Sequence, residues 1–129
     1  MEPDRRRSES GLTSTELAVL MPVLIALVLV PFQVALWWHA SQVADAAARE
    51  AVDAAQVATA TEDDGMRAAV WFLDAAGNLT EVDVAVIRTA GTVTVEVTGR
   101  APRLIPGFDW HVAGYATGPI ERFIPEPDR

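Results

Sequence analysis

Twenty-two consecutive residues, Leu17 to Trp38 (LAVLMPVLIALVLVPFQVALWW), carry no charge and one clearly polar side chain, Gln33. Nothing else in this 129-residue chain restricts its folding as strongly. Coiled as an α-helix at roughly 1.5 Å per residue, the run spans about 33 Å, enough for a hydrocarbon core of about 30 Å. A cleaved secretory signal would have an apolar stretch of only about 7–15 residues, with a small-residue site close behind it. This run is longer and ends in Trp37 and Trp38, whose half-apolar indoles suit the far membrane–water interface as anchors. The run therefore predicts one transmembrane helix, over residues 12–38.

Charge sets the expected direction of that span. Arg5, Arg6 and Arg7 stand before it, and its far side begins HASQVADAAARE. The arginine bias places the N-terminus in the cytoplasm and the remainder outside, in a single pass of the cytoplasmic membrane. Pro22 and Pro31 each remove a backbone donor inside the span and bend the helix. The bends are either harmless kinks or a shape for packing against other helices.

The same chemistry excludes several function classes. The net charge is −8 and every basic residue is arginine. An acidic chain lacks the electrostatic footprint that phosphate backbones require, so direct nucleic-acid binding is not expected. With no cysteine there is no disulfide, thiolate zinc site or cysteine nucleophile. His39 and His111 lie far apart in sequence, without partners at metal-ligand spacing. Asp109 and His111 flank Trp110, but no serine sits in a nucleophile elbow and no glycine-rich phosphate loop occurs. The successive acids of TEDDG, Thr61 to Gly65, do not alternate as calcium ligands do, and read as a solvated loop with an aspartate capping the next helix. No catalytic residue, cofactor or metal is expected.

Glu16 stands on the threshold of the span. As an isolated residue it reads as an N-terminal carboxylate complementing the helix dipole, with Thr13, Ser14 or Thr15 as cap. Its neighbourhood adds a pattern: arginines, then Gly11, four residues, Glu16 and the uninterrupted apolar run. This pattern resembles the processing signal of type IV pilin-like proteins, which a prepilin peptidase cuts after the glycine. ELAVLMP, from Glu16 to Pro22, and AAARE, from Ala46 to Glu50, narrow the resemblance to the TadE-like proteins of tight-adherence pilus systems. It covers about the first fifty residues.

The resemblance implies a leader over residues 1–11, cut between Gly11 and Leu12, with Glu16 fifth in the mature chain and acting in assembly. The leader carries Glu2, Asp4 and Glu9 beside its arginines, so its removal leaves the charge at −8. The partners implied are the prepilin peptidase, other pilus subunits and assembly-platform proteins, alongside the lipid bilayer. Function is then that of a minor pilin or pilus-assembly subunit working by helix packing and protein–protein contact, in the membrane or in the pilus itself. An uncleaved, single-pass, membrane-anchored binding domain at the cell envelope is the alternative.

Beyond the span, residues 39–76 read as a helical stalk and a second helix. Alanine, the strongest helix former, dominates Ala40 to Ala60. Asp45, Arg49 and Asp53 stand at i, i+4 spacing for pairing on an exposed face. Ala40, Ala44 and Ala48 form one small-residue row and Ala47, Ala51 and Ala55 another. Such rows admit either another helix or the chain's own small domain. In the second helix Met66, Ala69, Val70 and Leu73 mark an apolar face, widened by Trp71 and Phe72 as core residues.

Gly77-Asn78 ends that helix. Val82, Val84 and Val86, then Val93, Val95 and Val97, alternate with polar or small residues across a TAG turn, as in an antiparallel hairpin with one buried face. A long loop, APRLIPGFDW, leads to a weaker third strand from His111 to Thr117, then to GPIERF, Gly118 to Phe123. The expected class is α+β and pilin-like: a long N-terminal transmembrane helix continuing into a stalk helix, with a small antiparallel β-sheet ectodomain over residues 77–124 and a disordered tail over 125–129.

Overall fold

A single helix, α1 (Arg6–Ala55), runs for 50 residues through both Pro22 and Pro31 and joins the apolar run to the alanine-rich stretch. The computed structural model describes residues 6–121, with side chains from residue 14 onward. Arg5, the start of the leader, Arg122, Phe123 and the 125–129 tail lie outside the described residues. After α1 come α2 (Glu62–Ala76) and three strands, β1 (Thr80–Arg88), β2 (Thr92–Arg100) and β3 (His111–Pro119). The strands form an antiparallel meander in the order β1-β2-β3. The α+β class is as expected, and α1 outlasts the bilayer run without a break.

Alanine packing positions everything else. Both alanine rows of α1, Ala40, Ala44 and Ala48 and Ala47, Ala51 and Ala55, are fully buried. They pack with the chain's own strands and α2, joined by Val43 and Val52, and are not a surface for a foreign helix. Opposite them, Val93, Val95 and Val97 on β2 are completely buried, each contributing roughly 1.5–3 kcal/mol by leaving water. The register pairs Val84 with Val97 and Val86 with Val95, so the hairpin puts its valines on one face. Val82 departs from that pattern and is exposed. The ladder shifts register between Thr80 and Asp83, and Glu81 there has φ 51°, so β1 twists away before its first valine reaches the core.

The second helix starts earlier and faces differently than its sequence suggests. TEDDG is not a loop: Glu62, Asp63 and Asp64 form the first turn of α2. The N-cap is Thr61, not an aspartate. The Asp64 carboxylate reaches back to the Thr61 N–H and hydroxyl, both at 2.8 Å. Those bonds, the Thr61 N–H first, hold the Asp64 carboxyl below its ordinary value, with Arg67 alongside.

The buried stripe of α2 is Gly65, Ala69 and Leu73, with Phe72 and Ala76 packed beside it, while Met66, Val70 and Trp71 are exposed. The reason is closeness to α1: a Cβ on Gly65 would stand 2.9 Å from the Ala51 carbonyl oxygen. Only residues as small as Gly65 and Ala69 fit that contact in the first turns of α2, so Met66 and Val70 rotate outward. Gly77, at φ 67°, closes α2 with its N–H on the Leu73 carbonyl at 2.9 Å.

An arginine from β1 finishes the end of α1. With no basic residue in its last turn, α1 leaves carbonyls exposed there. The Arg88 guanidinium donates to Ala55, Val57 and Ala58 carbonyls at 3.2, 2.9 and 3.2 Å. The Arg88 backbone N–H donates to Glu62 Oε1 at 2.8 Å, tying the α1–α2 connection to the sheet. The expected Asp45–Arg49–Asp53 pairing is absent among the described residues; Asp53 instead accepts weakly from Gln56 at 3.5 Å. Exposed pairs of that kind are worth only about 0.2–0.5 kcal/mol, too little to fix long side chains.

Candidate functional site

From Leu17 to Val34 the large apolar side chains of α1 are exposed: Val19 is 67% exposed and Leu27 69%. A continuous bare apolar surface of this size is foreign to water-soluble proteins. Of the described residues, this one helix is long and apolar enough to cross a membrane. Pro22 and Pro31 lie within it. Glu16 stands exposed at its start, with no ion pair or side-chain hydrogen bond among the described residues. Gly11 and Leu12 fall within α1, and so do Arg6 and Arg7.

Gln33 is the exception on this surface, being completely buried. Its Oε1 accepts the Leu104 N–H at 2.7 Å and the Ile105 N–H at 3.4 Å. Its Nε2 donates to the Pro102 carbonyl at 3.1 Å. The long β2–β3 loop, residues 101–110, thus folds down along α1 and covers the one amide of the span. One turn further along α1, the Trp37 indole N–H donates to the His111 carbonyl at 3.1 Å, where β3 begins. Trp37 is half-buried against the sheet domain, whereas Trp38 is 62% exposed. The two anchor candidates therefore face differently: Trp37 holds the chain's own strand, and Trp38 is open to the surroundings.

In the sequence Gln33 is the lone polar side chain of the run, and nothing adjacent to it gives it a role. The usable signal was its isolation, because a polar group among 21 apolar neighbours needs a partner. Gln33→Leu removes one acceptor and one donor while keeping bulk, leaving two loop amides and one carbonyl unpaired. Each unsatisfied group costs about 1–3 kcal/mol, so the Leu104 amide should exchange its hydrogen at least about tenfold faster while the sheet amides stay protected. Hydrogen exchange of the full chain in detergent micelles checks this, and an unchanged Leu104 rate would refute the tie.

His39 and His111 are both exposed. Among the described residues no three His, Asp or Glu side chains are grouped to hold a metal ion. On the far sheet face the Tyr115 hydroxyl donates to Glu96 at 2.5 Å, and that bond raises the phenol above its ordinary value. Arg100 lies between Glu81 at 3.0 Å and Asp109 at 3.7 Å, an exposed cluster worth little to stability.

A bare apolar helix joined without interruption to a small α+β domain suggests a single-pass membrane protein. The family model of TadE-like proteins matches residues 11–53, from Gly11 through the span and the AAARE segment, so that third of the chain is similar to TadE-like proteins. That similarity points to a pilus-assembly role. No curated protein and no solved structure matches the chain.

Proposed function

We propose that this protein is a minor pilin or pilus-assembly subunit of a tight-adherence pilus, cut after Gly11 by a prepilin peptidase and assembled through its N-terminal helix. The observation that carries the reading is the placement of Gly11 and Glu16 at the head of one unbroken apolar helix that the TadE-like match covers. Cleavage creates an α-amine on Leu12, and Glu16 lies one helical turn along, within reach of that amine or of a neighbouring subunit's. The arginines before the span favour a cytoplasmic N-terminus and an outward-facing sheet domain. Other pilus subunits, platform proteins and the bilayer are the partners, and catalysis has no part in the role.

The exposed span supports packing by the apolar half of α1, since the alanine rows of its other half are already occupied by the sheet and α2. The test is the mature N-terminus, read by intact mass and terminal peptide on protein from the membrane and sheared-pilus fractions. A chain beginning at Leu12 is the expected result. A chain beginning at Met1, in cells with active prepilin peptidase, overturns the processing and leaves a plain membrane-anchored domain.

A further inference from the structure

We propose that the β2–β3 loop is a second membrane contact: Leu104, Ile105 and Phe108 sit in the outer boundary of the bilayer through which α1 passes. The inference rests on the membrane-span reading of α1 and goes beyond it. Depth along the helix is the first argument. Gln33 lies sixteen residues beyond Leu17, about 24 Å along an axis rising roughly 1.5 Å per residue, within a hydrocarbon core of about 30 Å. The loop segment hydrogen-bonded to Gln33 is therefore held near the far edge of the hydrocarbon, level with the last turn before Trp37 and Trp38.

The loop's composition fits that depth. Leu104 is 50% exposed and Phe108 64%, on a segment whose other exposed side chains include Arg103 and Asp109. Apolar tips flanked by charge are what a lipid boundary accepts, with Arg103 placed to meet phosphate. Irregular backbone enters such a layer at lower cost the more of its polar groups are satisfied. Here Pro102 and Pro106 have no N–H to satisfy, Ala101 donates to the Trp110 carbonyl at 2.9 Å, and Leu104 and Ile105 donate to Gln33.

The surface is also continuous with the span. Val30 and Gln33 of α1 join Ile105, Phe108 and Trp110 around a groove of about 210 Å³, so lipid against Val30 is already against the loop. Phe108 and Trp110 pack as a tilted pair with centroids 6.5 Å apart, which stiffens the segment in this pose. Two contacts, one helix and one loop, fix the tilt of the sheet domain over the membrane, where a lone helix would leave it free to swivel.

The absence of cysteine makes the test direct. Single-cysteine full-length variants Leu104→Cys, Phe108→Cys, Val28→Cys and Thr94→Cys are labelled with an environment-sensitive fluorophore and reconstituted sparsely in phosphatidylcholine–phosphatidylglycerol vesicles. Nitroxide-bearing lipid should remove about half or more of the emission at 104, 108 and 28 and little at 94, whereas aqueous iodide should quench only 94. Iodide quenching at 104 and 108, with 28 still quenched by lipid, overturns the loop contact and leaves the span standing. Protection at 104 and 108 from both quenchers overturns it in favour of cover by a second copy. Failure of lipid quenching at 28 overturns the span and the loop contact together.

Discussion

Gly114→Ala should cost the sheet domain more than about 3 kcal/mol, beyond the usual 1–3 kcal/mol of an overpacked core. Gly114 lies on the buried face of β3, flat against the backbone of α1. A Cβ there would stand 2.3 Å from the Ala44 carbonyl carbon and 2.4 Å from both the Ala44 oxygen and the Asp45 nitrogen. All three atoms belong to a helix backbone locked in its own hydrogen bonds, so the added methyl has no flexible neighbour to displace. The strand must lift from the helix, and Val112, Ala116 and Gly118 on the same face lift with it. Gly99→Ala is the contrast: its Cβ meets the end of the Leu79 side chain at 2.9 Å, which can turn aside. That change should cost about 1 kcal/mol. Urea unfolding of the full chain in micelles, followed by tryptophan emission, compares the two. A Gly114→Ala chain as stable as the Gly99→Ala one would show that β3 does not lie on α1 this closely.

The same closeness explains why β3 was the faintest strand in the sequence. Strand signals come from β-branched residues at alternate positions, and Val93, Val95 and Val97 supply them plainly on β2. On β3 the inward positions are Val112, Gly114, Ala116 and Gly118, small because the facing helix surface is Ala44, Ala48 and Val52 at short range. A helix and strand that meet through small residues erase the pattern by which either is recognised. The exposure of Met66 and Val70 has the same origin on α2, where size, not hydropathy, decides what faces α1.

Local physics made other features readable. The span from Leu17 to Trp38, the hairpin around Gly91 and the break at Gly77 each follow from the apolarity or backbone preference of adjacent residues. Long-range contacts did not announce themselves. Gln33 meets Leu104 across 71 residues, and Arg88 meets Ala55 across 33. In both cases a polar group with no nearby partner was the trace left in the sequence. The capping box at Thr61 and Asp64 has the three-residue spacing that the cap requires, but three successive acids make that spacing ambiguous in the sequence. The proposed processing glycine, Gly11, and the proposed assembly residue, Glu16, stand out by their spacing against the span and by family resemblance; among the described residues Glu16 has no ion-pair partner.

Glu16→Leu should leave insertion intact and reduce assembled pilus by roughly a hundredfold. In the proposed mature chain the α-amine of Leu12 sits at the membrane edge, one turn from Glu16. Packing into a filament moves both groups out of water among apolar helices, where a lone cation costs about 2.5–3.5 kcal/mol, the mid-membrane value of insertion scales. At 1.4 kcal/mol per factor of ten, the loss per subunit docking step is about two orders of magnitude. The leucine variant gains apolarity in the span, so membrane retention should hold or rise. Glu16→Asp keeps the charge on a shorter arm and should fall between the two. Membrane and sheared-pilus fractions from cells bearing each variant, probed for this chain, separate insertion from assembly. Cleavage must be followed in the same samples, because a bulky residue at Gly11 would stop assembly earlier, at the peptidase. A wild-type amount of processed Glu16→Leu protein in the sheared fraction would remove Glu16 from assembly, since an unpaired amine would then have entered the filament without penalty.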